Sequence, residues 1–445
     1  MSKRSFAWLA AFSLTLGLSQ TAFAGGFAVL EQSVEGLGQA FAGKSAGYGD
    51  GSSVYFNPAA MAAHKGSRAT IAVHGIIPKA EFNDSGSSIP ALGAPLSGGD
   101  GGDAGGLVGV PNIYYVNQVN DDWQAGIAIN SPFGLSSEYD AGWQGRYHAL
   151  KSELLSININ PGFSFKLRDD LFVGGGVSAM YLDAELTQAI DFGTIGFSTL
   201  GPTTASALGL SPQGNDGFGK VEGDDWAYGV NFGFLYLIDD DTRLGVHYRS
   251  RMQAQLKGDA SFTVPTAALP LTSTGSFTNT GATADVTLPE NVGVGLVHDV
   301  NESVSLAFEA GWTRWSRFNE LRIVYDSTQP DSVTQEGWDS VWRFAGGINY
   351  NVDEDLVLRG GVAWEETPIP SAALRTPRIP DDDRLWLTAG VGYDVTDNIT
   401  VDVSYAHLFM GDGEIANTSS TGGVLSGDYD LAIDIISLGL TWQLS

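Results

Sequence analysis

The chain has 445 residues, a formal net charge of -28 and no cysteine. The absence of cysteine excludes disulfides, thiolate nucleophiles and cysteine-bound metals, and the acidic balance argues against nucleic acid as a partner, because phosphate binding needs clustered lysine and arginine. Glycine (58 residues) and aromatic residues (11%) are frequent while charged residues make up 17%, a mixture that favours a large all-β body over a soluble α/β enzyme.

The first residues have the pattern of an export signal. Lys3 and Arg4 form a basic start, Phe6 to Leu18 form a short apolar run, and an Ala-x-Ala cleavage site ends at Ala24. Residues 1–24 are therefore predicted to be a signal peptide. No later stretch approaches the roughly 18–20 apolar residues of a membrane helix, so the exported chain is either water-soluble or spans a membrane as a closed barrel.

The segment 25–65 does not alternate in hydrophobicity. Its spacing predicts short helical turns interrupted by glycine, and a wide barrel could be filled by such a segment. We therefore expect an N-terminal plug, or hatch, over residues 25–65. The alternative is a disordered periplasmic tail, which the apolar content argues against. The apolar residues are Phe27, Val29, Leu30, Leu37, Phe41, Val54, Tyr55 and Phe56.

From about Arg68 onward, apolar residues recur at every second position, as in Trp226–Ile238 and Val304–Trp312. Successive side chains of a strand point to opposite faces, so each segment has one oily face and one small or polar face. A water-soluble sandwich also alternates. The segments, however, run for roughly ten to fourteen residues with aromatics at their ends, which is typical of tilted membrane strands and their interfacial girdles.

The connections between these segments alternate between short and long. The short ones are 119–122, 168–170, 239–241, 299–302, 351–354 and 394–397, and the long ones are 79–110, 132–152, 184–225, 256–284, 317–338, 366–383 and 410–429. Six short and seven long connections imply about fourteen strands, with both termini on the short-turn side. The predicted fold is an all-β, membrane-spanning antiparallel barrel over residues 66–445.

Several charges fall on the inward face by alternation. They are Arg249, Arg251, Arg343, Arg359, Arg384, Glu309 and Glu365. One interpretation is a network of compensating charges inside the barrel. The other is that Arg343 or Arg359, near Glu365, binds a ligand carboxylate, because a guanidinium fits a carboxylate with two hydrogen bonds.

The sequence predicts no enzyme, no cofactor and no metal. The six histidines show no metal-binding spacing, and the pair His148 and Ser152 lies in a loop rather than on a lipid-facing wall. The acidic run Asp381–Asp383 could bind calcium but is interpreted as a solvated loop tip.

Several motifs match a known family. The stretch from Gly26 to Ser33 (GFAVLEQS), Asn57-Pro58-Ala59, and the stretch from Ile379 to Arg384 (IPDDDR) resemble the FadL-type long-chain fatty acid transporters. Leu288-Pro289-Glu290 and the stretch from Trp312 to Ser316 (WTRWS) do so as well, and the likeness runs from the predicted mature start to about Tyr405.

The resemblance implies a fourteen-stranded barrel with an N-terminal hatch. Ligand would enter between long outer loops, reach an apolar pocket, and leave sideways through a kinked strand. Phe27, with Leu30, matches the hatch end that contacts ligand, and Asn57, Pro58 and Ala59 match the segment associated with the kink.

This sequence differs from the family pattern at positions that would contact the ligand's head group. Fatty-acid-transporting members place two basic residues and an acid near the inner pocket, and these positions are Gln188, Thr334 and Glu365 here. A neutral hydrocarbon is therefore a plausible ligand.

We expect passive uptake of hydrophobic molecules across the bacterial outer membrane, with long-chain fatty acids favoured. The alternatives are uptake of alkanes or aromatic hydrocarbons, a general porin, and a surface adhesin. The expected surroundings are outer-membrane lipid and lipopolysaccharide, with the chain a monomer.

Overall fold

The computed structural model describes residues 25–444 and contains one closed antiparallel barrel. Strands adjacent in the chain pair with each other, and the first strand also pairs with the last, with Ser67 opposite Leu444. Closure leaves the sheet without a free edge strand. The predicted signal peptide, residues 1–24, lies outside the described residues.

Fourteen strands form the wall within the described range, which confirms the predicted fold. They are β1 (Ser67–Asp84), β2 (Val108–Gln118), β3 (Trp123–Asn130 and Gly134–Glu138), β4 (Lys151–Arg168), β5 (Leu171–Asp191), β6 (Asp216–Leu237), β7 (Thr242–Arg249 and Met252–Thr263), β8 (Thr280–Leu288 and Asn291–Asn301), β9 (Val304–Thr313 and Glu320–Tyr325), β10 (Ser332–Gln335 and Val341–Asn351), β11 (Leu356–Glu365), β12 (Arg384–Thr396), β13 (Ile399–Met410) and β14 (Val424–Leu444).

Helices are short and lie inside the barrel or in the loops. The α-helices are α1 (Val34–Gly38), α2 (Ser53–Phe56), α3 (Phe192–Leu200) and α4 (Pro202–Ala207); the 3₁₀ helices are Pro58–Ala63, Pro90–Leu92, Thr266–Thr272 and Trp315–Arg317; short loop strands are Ser88–Ile89, Ala94–Pro95 and Ile415–Thr418. Over residues 25–444, no helix has both the length and the apolar character needed to cross a membrane.

Every strand of the wall presents apolar side chains to the outside. One exposed example from each strand, in order, is Ile71, Ile113, Ile127, Ile157, Val177, Phe232, Tyr248, Val294, Phe308, Phe344, Leu358, Leu387, Tyr405 and Leu438. Such a continuous apolar surface would be unfavourable in water, whereas a barrel wall that contacts lipid requires it. The alternation in the sequence thus corresponds to a lipid-facing exterior.

The prediction that Arg251 faces inward is wrong. β7 is interrupted after Arg249, and its pairing with β6 shows that β7 has one extra residue there. Asn231 lies opposite Arg249 and Asp224 opposite Lys257, so seven steps on β6 match eight on β7. This bulge reverses the alternation beyond it, and Arg251 is exposed.

The strands extend further outward than hydrophobicity alone indicated. β5 and β6 stay paired up to Asp191 opposite Asp216, inside the stretch 184–225 that was predicted to be a loop. These outer ends are surrounded by water and charged groups, so they lose the apolar alternation that identifies a strand in lipid.

Residues 25–65 form short helical turns, as predicted, and they are largely buried. α1 packs against β12, β13 and β14, whereas the 3₁₀ helix Pro58–Ala63 packs against β4, β5 and β6. Ser33 caps α1, since its Oγ accepts from Gly36 N at 2.8 Å. The segment therefore contacts inward faces on several sides of the barrel.

Candidate functional site

β3 is interrupted at residues 131–133, here called the β3 break. Pro132 has no N–H to donate to the ladder, and its carbonyl accepts from Val29 N at 2.9 Å. Gly134 N donates to Phe27 O at 3.0 Å. Beyond the break, β3 is thus bonded to the N-terminal segment, while β2 pairs with β3 only from Ile113 onward. This leaves a lateral gap between β2 and β3.

Phe27 and four buried aromatic rings around it form a group here called the aromatic cluster. The Phe27 ring centroid lies 4.8 Å from that of Trp315 and 5.5 Å from that of Phe318. The rings of Trp338 and Phe133 lie 5.8 and 6.1 Å away. The geometry is tilted or edge-to-face, which contributes about 0.5–1.5 kcal/mol per pair beyond area burial. The cluster fastens the start of the segment 25–65 next to the β3 break.

An apolar pocket lies on the outer side of the aromatic cluster. This outer pocket contains about 820 Å³ of empty space, its mouth included, and Phe27 forms part of its wall. The remaining wall is mostly aliphatic, including Leu135, Leu154, Leu256, Val286, Leu321, Ile323 and Ile379. Apolar walls with few polar groups are typical of sites for hydrophobic ligands.

Two buried charged residues from loops also line the outer pocket. Arg378 donates to Ser152 Oγ at 3.0 Å and to Gln188 Oε1 at 3.1 Å, so these side-chain partners are neutral. Glu336 is 3% exposed. Burial raises the pKa of Glu336 to about 8 and lowers the pKa of Arg378 to about 10. Near neutral pH, the cation is therefore charged while much of the acid is protonated.

A larger groove opens outward from this pocket. It contains about 1240 Å³ of empty space and is lined by residues such as Ile195, Phe262 and Phe277. The groove and the outer pocket share four lining residues, Leu186, Val221, Ile323 and Arg378. The two spaces are therefore contiguous.

A third space, here called the inner cavity, lies on the other side of the aromatic cluster. It contains about 840 Å³ of empty space and borders the β3 break through Pro132 and Phe133. Its apolar lining includes Leu30, Phe56 and Trp315. Its polar lining includes Lys44, His247, Arg249, Asn291, Arg343 and Glu365.

The structure separates the charged residues selected from the sequence. Arg343 and Glu365 both line the inner cavity, with Arg343 Nε 3.6 Å from Glu365 Oε2. Arg359 instead forms an ion pair of 2.6 Å with Asp402 and is not in the lining of the three spaces described above.

The Asn57-Pro58-Ala59 motif packs against β4, β5 and β6 rather than on the β3 break. Asn57 Nδ2 donates to Phe234 O at 3.0 Å, and a Cβ at Gly233 would overlap Asn57 Oδ1 at 1.6 Å. The residues at the break are Phe27, Val29 and Gln32, whose Nε2 donates to Ser131 O at 3.0 Å. Only Phe27 of these three was selected from the sequence.

The acidic run 381–383 is not simply a solvated loop tip, and the prediction is wrong for Asp381. This residue is 0% exposed and forms a buried ion pair with Arg384. Asp381 Oδ2 accepts from Gly26 N at 3.1 Å. No cluster of residues in the range 25–444 has the composition of a metal site. Asp381 therefore fastens the start of the segment 25–65 to an outer loop.

Sequence reasoning missed Arg378 and Glu336 because they lie in loops without periodicity. The resemblance did carry one usable signal, the neutral Gln188 at a position expected to be basic. The structure shows that Arg378, 190 residues further along the chain, donates a hydrogen bond to that side chain.

Comparison with known proteins gives consistent results over nearly the whole chain. A family model described as outer membrane protein transport protein (OMPP1/FadL/TodX) matches residues 15–443. The long-chain fatty acid transport protein of Escherichia coli (strain K12) is 30% identical over 428 residues and is matched over 92% of this chain and 93% of that protein. The protein of the same description from Shigella flexneri gives the same values.

Solved structures agree on the fold. The crystal structure of a Pseudomonas aeruginosa FadL homologue aligns with a TM-score of 0.86 at 25% identity, covering 94% of this chain and 100% of that chain. The toluene transporter TodX of P. putida aligns with a TM-score of 0.66 at 17% identity, covering 89% of this chain and 95% of that chain. This second likeness concerns the fold alone.

Proposed function

This chain belongs to the OMPP1/FadL/TodX family of outer membrane transport proteins, and from that premise we propose that it takes up long-chain fatty acids by passive diffusion. The observation that carries the proposal is the series of apolar spaces from the outer groove to the β3 break, with Arg378 in the outer pocket. Diffusion down a gradient needs only weak apolar sites and a way out.

In the proposed path, ligand enters the groove, moves into the outer pocket, and is stopped by the aromatic cluster. When Phe27 is displaced, ligand reaches the inner cavity, where Leu30, Arg343 and Glu365 line the space. It then leaves through the gap between β2 and β3 into lipid. Asn57, Pro58 and Ala59 support this gate indirectly, by fastening the segment to β4, β5 and β6. Neither a cofactor nor an enzymatic step enters this path.

Arg378 favours an acidic ligand. The cation is buried, has neutral side-chain partners, and borders a mostly aliphatic pocket. Two of the carboxylates that also line this pocket, Glu153 and Glu222, are paired with Lys151 and Lys220. A carboxylate that accepts from the guanidinium forms a charge-assisted hydrogen bond, worth about 1.5–3 kcal/mol. Arg378 thus supplies, from another loop, the charge missing at Gln188.

Uptake of neutral hydrocarbons is the second candidate. It is favoured by the neutral side chains of Gln188 and Thr334 and by the apolar lining of the outer pocket. A general porin is disfavoured, because residues 25–65 are packed against the inward faces of the barrel and would act as a plug.

We further propose that the chain works as a monomer surrounded by lipid and lipopolysaccharide. Exposed apolar side chains occur on each of the fourteen strands, so the exterior offers lipid contact all around the barrel. The predicted signal peptide, residues 1–24, would direct export.

The test is uptake in a deletion strain that expresses Arg378→Gln. We expect oleate uptake to fall at least tenfold, while hexadecane uptake falls much less. Arg322→Gln is the matched control, because Arg322 is an exposed arginine in the second part of β9 and pairs with Glu320. It should leave both rates unchanged. Equal uptake of oleate by the deletion strain and the wild type would refute fatty acid transport.

A further inference from the structure

The inner cavity is lined by more cations than carboxylates. Lys44, Arg249 and Arg343 face it together with a single acid, Glu365. Glu31 and Glu309 are buried nearby and interact with Arg343, and Glu309 also accepts from the backbone N–H of Ser45 at 3.2 Å and from the Ser45 hydroxyl. A cation in a low-dielectric interior is costly unless it is paired. Lys44 and Arg249 form no ion pair within 4.0 Å among residues 25–444, so their burial needs an explanation.

Arg249 has neutral partners throughout. Its guanidinium donates to Ser178 Oγ at 3.0 Å, to Tyr55 O at 2.5 Å and to Asn160 Oδ1 at 3.2 Å. The guanidinium carbon also lies 4.1 Å from the centroid of the Tyr55 ring. These contacts hold the cation in place and leave its charge uncompensated.

Lys44 and Arg343 are incompletely satisfied as well. Lys44 Nζ lies 5.8 Å from the centroid of the Phe56 ring, and among residues 25–444 it forms no ion pair within 4.0 Å. Arg343 Nε and Nη1 are buried without a hydrogen-bond partner in the same range. Several donors of these cations are thus free to bind an anion.

We propose that the inner cavity is a binding site for the carboxylate of the transported fatty acid, with Lys44 and Arg249 as its cations and Arg343 completing the site. The tail would lie along Leu30, Phe133 and Trp315, toward the β3 break. The site rests on the proposed function and adds a second head-group site beyond Arg378. A fatty acid that leaves the outer pocket would find another cation on the far side of Phe27, which lowers the cost of moving its charge through the barrel.

This site favours acids over neutral hydrocarbons, so the test is the ratio of oleate to hexadecane uptake. Lys44→Met and Arg249→Gln should each lower that ratio about tenfold. Lys65→Met is the matched control, because Lys65 belongs to the same segment but is exposed outside the cavity, and its ratio should equal that of the wild type.

The outcomes separate the two proposals. If the wild type takes up oleate but the Lys44 and Arg249 variants keep its ratio, the inner site is refuted and the proposed function stands. If the wild type takes up no oleate, both are refuted. Should the variants fail to fold, crystals of the Arg378→Gln chain soaked in 2-bromohexadecanoate decide the matter. Bromine beside Lys44 and Arg249 supports the site, whereas bromine elsewhere, or none, overturns it.

Discussion

The aromatic cluster makes a quantitative prediction about how the start of the segment 25–65 is held. Phe27 contacts four aromatic rings, with centroid distances of 4.8 to 6.1 Å, and it is 3% exposed. Replacing such a buried Phe by Ala costs about 3–5 kcal/mol. In Phe27→Ala, the free energy that docks residues 25–33 onto the barrel should fall by this amount.

Several hydrogen bonds still hold the segment in that variant. They include Gly26 N to Asp381 Oδ2, Val29 N to Pro132 O, Gly134 N to Phe27 O and Gln32 Nε2 to Ser131 O, and none of them uses the Phe27 side chain. We therefore expect the segment to stay docked most of the time. A loss of about 3–5 kcal/mol raises the undocked population by a factor of roughly 10² to 5 × 10³.

Hydrogen exchange measures this population directly. The amides of Val29 and Gly134 both donate across the contact between the segment and the β3 break. Their exchange in Phe27→Ala should therefore accelerate by the same factor, roughly 10² to 5 × 10³. The control is Phe192→Ala. Phe192 is also a buried aromatic, with its ring 4.8 Å from Phe277, but it lies in an outer loop.

The reasoning would be refuted by unchanged exchange at Val29 and Gly134. Equal acceleration in Phe192→Ala would also refute it, because a general loosening of the barrel would then account for the effect. If the docked segment 25–33 blocks the path to the inner cavity, hexadecane uptake by Phe27→Ala should rise, although the outer pocket loses part of its wall.

Two further predictions concern charge. Oleate binding should weaken as pH rises through about 8, because Glu336 then ionises and its negative charge repels the carboxylate beside Arg378. Binding titrations at pH 6.5 and 9 measure this change, and Glu336→Gln should remove it. A pH dependence that persists in Glu336→Gln would exclude Glu336 as its source. Arg359→Ala should lower the free energy of unfolding by about 3–5 kcal/mol, because it leaves buried Asp402 unpaired. The control is Arg168→Ala, at the exposed ion pair with Asp170, which should lower the free energy of unfolding by about 0–1 kcal/mol. Urea unfolding measures both, and a selective loss of oleate uptake in Arg359→Ala would instead support a ligand role for Arg359.

The sequence was sufficient to predict the barrel and its strand number. Lipid imposes a strict rule, since every second residue of a membrane strand must be apolar, and that rule is visible residue by residue in Trp226–Ile238. The alternation of short and long connections gave the strand count in the same way. Both signals are local in the chain.

The candidate site was only partly predictable. Phe27, Leu30, Arg343 and Glu365 line the spaces that the structure places on the proposed path. Arg359 was selected by the same alternation, but its ion pair with Asp402 depends on which inward residues are neighbours across strands. Alternation gives the face of a side chain and not its partner.

Tertiary structure alone decided the loops and the breaks in the strands. Arg378 meets Gln188, and Asp381 holds Gly26, because barrel closure brings distant loops over one opening. The bulge that turns Arg251 outward is visible only in the register between β6 and β7. The β3 break is held by a hydrogen bond between Val29 and Pro132, which are far apart in the chain. Contacts of this kind leave no periodic trace in the sequence, because only the closed barrel brings their two halves together.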